Sequence, residues 1–140
     1  MRQRDFLKAQ IEQFAKVLAR IVSDFLRLKS SGNLSYHITT TNQKIKTQLD
    51  IDIDEILVFD EKALKDYLEI KKTAPELLEI LSDYLTEIGR LKLTDNPADA
   101  ERYLKKSVFL LSVADDFSKA VSLKRIHQKE IIEYLLQTLK

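Results

Sequence analysis

The chain of 140 residues has no cysteine and no tryptophan, and only two glycines, two prolines, two histidines and one methionine. Without thiols it can form no disulfide framework, no thiolate nucleophile, no iron–sulfur cluster and no zinc site that needs sulfur ligands. Gly32 and Gly89 are too few and too far apart for a glycine loop that cradles phosphate. His37 and His127 are not a spaced pair on one helix, and Glu-x-x-His occurs nowhere, so the ligand set of a di-iron bundle is missing. Histidine suits acid–base work near neutral pH, but one histidine near a helix end reads as a surface or capping group. No segment approaches the roughly 18 to 20 apolar residues that span a bilayer. The N-terminus Met1-Arg2-Gln3-Arg4-Asp5 leads into a pattern broken by charge, unlike the apolar run of a signal peptide. The expectation is a cytoplasmic protein with no cofactor.

What is present is 44% hydrophobic and 32% charged residues, the balance of one globular domain able to bury a core without staples. The net charge of +1 draws in no polyanion by itself, but the charge is unevenly placed. Residues 1–50 carry nine basic and four acidic side chains, 51–101 six and fourteen, and 102–140 eight and four. Such an order lets the middle of the fold complement its ends or a neighbouring subunit. A dedicated nucleic-acid surface is not expected from it.

Leu7, Ile11, Phe14, Leu18, Ile21, Phe25 and Leu28 are spaced 4, 3, 4, 3, 4, 3, which predicts a long amphipathic helix over about 4–29. Ala15 and Val22 widen its stripe, and Gly32-Asn33 tolerates the left-handed backbone that stops a helix. Helical spacing of Leu34, Ile38, Ile45 and Leu49 predicts a second helix over about 35–49, against the poor propensity of Thr39-Thr40-Thr41. Residues 50–60 read as an acidic connector in which Asp54 or Asp60 caps the next helix, over 61–71. Thr73-Ala74-Pro75-Glu76 has the order of a capping box with proline in the first turn, and Leu77, Leu78, Leu81, Leu85, Ile88 and Leu91 line the helix it opens. Asn96-Pro97 opens another, to about Ala114, where Asp115-Asp116 marks a break. A last helical stretch, interrupted near His127, carries Phe117, Val121, Ile132 and Leu135. The expected fold is therefore an all-α bundle of five to seven helices in one domain, with 1–49 as a helical pair, 50–60 as the connector and 61–140 as the C-terminal half.

The stretch Arg4-Asp5-Phe6-Leu7-Lys8-Ala9-Gln10-Ile11-Glu12-Gln13-Phe14 resembles the start of a family of small, uncharacterised, all-helical bacterial proteins. The resemblance implies a bacterial source and a helical fold, and brings no activity with it. Pro75 to Ala114, with Ala100, Leu104 and Ser107 near the small-large-small positions of the second helix, resembles a tetratricopeptide helical hairpin. That resemblance implies hairpin geometry and no binding residues.

Asp50, Asp52 and Asp54 stand at positions 1, 3 and 5 of a twelve-residue calcium loop with Glu61 at position 12. Position 6, however, is Glu55 where the sharp turn needs glycine. These four acids are the candidate metal ligands, and a metal- or ligand-binding bundle built on them is the alternative function. Asp83 with Glu87, Asp99 with Glu101, and Asp115-Asp116 are candidate carboxylate pairs that lack convergent partners. Tyr36, Tyr67, Tyr84, Tyr103 and Tyr134 come one per helix as core-edge residues with hydroxyls in reach of water. Only Tyr103, beside Arg102 and Lys105-Lys106, nears the pattern of a base-stacking platform. With no catalytic constellation, an enzyme is not expected, and a nucleic-acid or membrane-surface accessory is a further alternative. The most specific feature is the first heptad. It predicts a protein partner or homo-oligomer, with Leu7, Ile11, Phe14, Leu18, Ile21 and Phe25 as interface candidates.

Overall fold

A computed structural model describes residues 3–139, with side chains described from Lys8 onward. Among these residues there are seven α-helices and no strand, as the all-α reading requires. Among the described residues no helix is long and apolar enough to cross a membrane. The chain divides into two compact units, residues 1–55 and 56–140.

The first unit is a hairpin of α1 (Gln3–Leu28) and α2 (Leu34–Leu49). Gly32 at φ 88° and Asn33 at φ 59° make the turn, using the backbone freedom read from the sequence. Leu18, Ile21, Val22 and Phe25 of α1 and Ile38, Thr41 and Ile45 of α2 are buried, at the 3–4 spacing that puts them on one face of each helix. The threonine run is helical despite its poor propensity; Thr39 Oγ1 and Thr40 Oγ1 donate to the carbonyls of Ser35 (2.9 Å) and His37 (3.2 Å), which keeps the hydroxyls within the helix's own turns.

The acidic segment is more ordered than a connector. Ile51 and Ile53 are buried, so the alternation of acid and isoleucine sends the apolar side chains inward. Asp52 Oδ1 accepts the Glu55 N–H at 3.2 Å and starts a short helix, α3 (Ile53–Val58), that the sequence pattern does not announce.

In the second unit α4 (Glu61–Ile70) begins at Asp60, whose carboxylate accepts the Ala63 N–H at 2.8 Å. It ends with Lys72 at φ 54°, the Thr73 N–H reaching Leu68 O (3.1 Å) and the Lys72 N–H reaching Glu69 O (3.0 Å). This pair of bonds is a Schellman closure, and it corrects the capping-box expectation. Thr73 is buried and its N–H finishes α4, so Ala74 occupies the cap of α5 (Pro75–Lys92) without a side-chain bond. α6 (Pro97–Ser118) starts as expected, with Asn96 accepting the Asp99 N–H at 3.2 Å. It does not break at Asp115-Asp116 but runs to Lys119, at φ 54°. Ser122 then caps α7 (Leu123–Gln137), which is unbroken at His127.

α5 and α6 cross closely. A Cβ on Gly89 would lie 2.8 Å from the Leu104 side chain. Ser82 Oγ donates to Ser107 O (3.0 Å) and Ser107 Oγ donates back to Ser82 O (3.1 Å), while Thr86 Oγ1 reaches Ser82 O (2.7 Å) and Ser107 Oγ (3.1 Å). These hydroxyls are buried and satisfied, which removes the penalty for placing them in a core. Leu104, Leu111, Ile132 and Leu135 pack α6 against α7.

Candidate interaction surface

α1 has 26 residues and α2 has 16, so at 1.5 Å per residue the first helix outruns its partner by about 15 Å. Toward the N-terminal end of α1 the heptad continues while its burial falls. Leu18 is 0% and Phe25 1% exposed, but Phe14 is 38% exposed; Ile11 is half-buried, and Lys8, Glu12, Gln13 and Lys16 are open to solvent.

The six interface candidates therefore separate. Leu18, Ile21 and Phe25 are buried and present no open surface. Phe14 and the exposed part of Ile11 remain available. Leu7 lies outside the described side chains. The heptad supplies the stripe, but which part of it is buried depends on tertiary packing, which periodicity does not encode.

The acidic candidates go to separate tasks. Asp50 sits exposed in the left-handed conformation at the end of α2, at φ 56°. Asp52 caps α3 and lies 3.4 Å from Lys46 Nζ. Burial acts to raise its pKa, yet the Glu55 N–H and Lys46 outweigh this and hold the carboxyl below its ordinary value. Asp54 projects from the first turn of α3 and Glu61 from that of α4, both exposed. A helix from Ile53 onward replaces the loop that calcium coordination requires. Among the described residues no three His, Asp or Glu side chains gather as a metal site.

The carboxylate pairs are likewise divided among separate partners. Asp99 binds Lys92 (2.9 Å) and Arg102 (2.7 Å), and Glu101 binds Lys105 (2.7 Å). Asp116 takes Lys65 at 3.1 Å. Asp83 accepts from Gln128 Nε2 at 2.7 Å, and desolvation pushes its pKa up, against that bond and Lys124, with Glu79 and Glu87 adding to the rise. Tyr84 is fully buried, away from the watery core edge expected of it. The Tyr103 ring is also buried, with Lys92 Nζ 5.9 Å and Arg102 Cζ 5.5 Å from its centroid, so no open face remains for a base. His37 Nε2 lies 3.2 Å from Ser31 Oγ at the α1–α2 turn.

The most organised polar cluster centres on Arg125, only 5% exposed. Its guanidinium donates to Asp115 Oδ1 (2.6 Å), Glu79 Oε2 (2.8 Å), Ser118 Oγ (2.9 Å) and Ala120 O (3.0 Å). Lys129 Nζ adds a bond to Asp115 at 2.7 Å. Burial opposes ionisation of Asp115, but Lys129 and Arg125 together keep its pKa below the ordinary carboxylate value. Every group is matched with its opposite, so the cluster ties α5, α6 and α7 together. Its arginine carries no sequence signal, since its partners lie up to 46 residues away. Comparison with protein-family models, with curated proteins and with solved structures finds no match for the chain.

Proposed function

We propose that the protein is a small cytoplasmic interaction module that self-associates through the N-terminal half of α1. The observation that carries this reading is Phe14, 38% exposed in the same heptad that buries Leu18 and Phe25. A large aromatic left in water on a regular apolar stripe is the anchor type that protein contacts use. The tetratricopeptide likeness of α5–α6 is in keeping with a scaffolding role.

Sedimentation over a range of concentrations tests the reading, with Phe14→Lys beside the wild type. The wild type should associate as concentration rises, and the variant should remain monomeric while melting within about 3 °C of it, since a half-exposed side chain contributes little to the core. A wild type that stays monomeric throughout would overturn self-association.

A further inference from the structure

The three most exposed large hydrophobic side chains among the described residues are Ile70 (81%), Val121 (84%) and Leu123 (83%), all at chain reversals of the second unit. α5 and α6 run antiparallel, since Ser82 faces Ser107 while Gly89, further along α5, faces Leu104, so the start of α5 lies beside the end of α6. α4 ends at Ile70 and α5 begins at Pro75, and Lys65 of α4 reaches Asp116 near the end of α6. Arg125 brings the first turn of α7 to the same place through Glu79, Asp115 and Ala120. The α4–α5 and α6–α7 turns therefore share one end of the unit, where the three apolar side chains stand in water.

The charge at this end is basic. Lys71, Lys72, Lys119 and Lys124 lie within two residues of the apolar three in sequence and are exposed, against Glu69 and Glu76 as exposed acids. Other carboxylates of the region are engaged: Asp115 by Arg125 and Lys129, Asp116 by Lys65, and Glu79 by Arg125 and Lys124. Residues 117–129 hold Lys119, Lys124, Arg125 and Lys129 and no acid. Apolar side chains flanked by lysine complement a surface that is hydrocarbon within and anionic at its face. The long lysine stem lets the charge stay at that face while apolar tips go deeper. The three apolar residues sit on two separate turns and form no single helix stripe, which suits a flat, fluid surface better than the groove of a protein partner. We propose that this end of the second unit docks on an anionic lipid bilayer, with Ile70, Val121 and Leu123 entering the headgroup boundary. The docking uses residues of the second unit alone and stands apart from self-association through α1.

Co-sedimentation of the full chain with vesicles tests the docking, comparing phosphatidylcholine that contains about 30% phosphatidylserine with phosphatidylcholine alone. Binding is expected on the anionic vesicles, weakening as salt rises, and little on phosphatidylcholine. Val121→Ser combined with Leu123→Ser should lower the partition coefficient at least about tenfold. Lys72→Gln combined with Lys119→Gln should lower it by about tenfold as well. Both double variants should melt within about 3 °C of the wild type, since the side chains replaced lie in solvent. A wild type that stays in the supernatant beside anionic vesicles would overturn the proposal. So would binding that survives Val121→Ser with Leu123→Ser but is lost in Phe14→Lys, which would place the contact on α1. Binding of polyglutamate without binding of vesicles, lost with the lysines and indifferent to Val121→Ser with Leu123→Ser, would assign this end to an acidic protein instead.

Discussion

In the α1–α2 hairpin the buried faces are bulky, with Leu18, Ile21, Phe25, Ile38 and Ile45 between the helices, whereas α5 and α6 cross where Ser82, Thr86, Gly89 and Ser107 are small or hydroxylated. The first hairpin gains its stability from area removed from water, which tolerates adjustments of shape. The second also buries bulky side chains, Leu78, Leu81, Tyr84, Leu85 and Leu104 among them, but its close backbone approach and paired hydroxyls leave little room for an added atom at the crossing. One topology thus has two kinds of vulnerability: both hairpins suffer from atoms removed, and the second suffers also from atoms added at its crossing.

The largest test of that contrast is Phe25→Ala, which should lower stability by about 3 to 5 kcal/mol, measured by urea unfolding. A loss below about 1 kcal/mol would mean the α1–α2 core collapses to fill the space, and the contrast would fail. Gly89→Ala should come next. An alanine inside a helix ordinarily gains up to about 1 kcal/mol over glycine, but here its Cβ meets the fully buried Leu104 at 2.8 Å, and overpacking costs about 1 to 3 kcal/mol. A net loss is expected, and it should turn into a gain when Leu104→Ala is present, as a double-mutant cycle would show. If Gly89→Ala alone raises the unfolding midpoint, the crossing is looser than its geometry indicates.

The smallest effect is pH-dependent and belongs to the second unit. Asp115, held below its ordinary 3.8 by Lys129 and Arg125 against the pull of burial, stabilises the fold above that value. Its contribution is lost as pH falls through its folded pKa. Asp115→Asn should therefore flatten the acid side of the stability profile below about pH 4. Parallel profiles for the two proteins would show that the Arg125 cluster adds no net stabilisation.

The helices that periodicity and local turn chemistry specify were legible in the sequence. α1 follows from its heptad, the first turn from Gly32-Asn33, and the starts of α4 and α6 from Asp60 and Asn96. The features that failed to show depend on distant groups. Asp115-Asp116 looks like a helix break, yet α6 continues because Arg125, Lys129 and Lys65 neutralise the pair from other helices. Thr73 looks like a cap, yet it is engaged in closing the preceding helix. Of the interaction surface, the stripe was legible and its exposed part was not, since exposure is set by tertiary packing that periodicity does not encode.

Lys72 and Lys119, both at φ 54°, end their helices in a conformation that disfavours any side chain by about 1 kcal/mol. Their positive charge at the helix C-terminus recovers part of that. A chain this poor in glycine therefore has unused scope for heat resistance at its helix ends, where a substitution removes no atom from a core and adds none to the α5–α6 crossing.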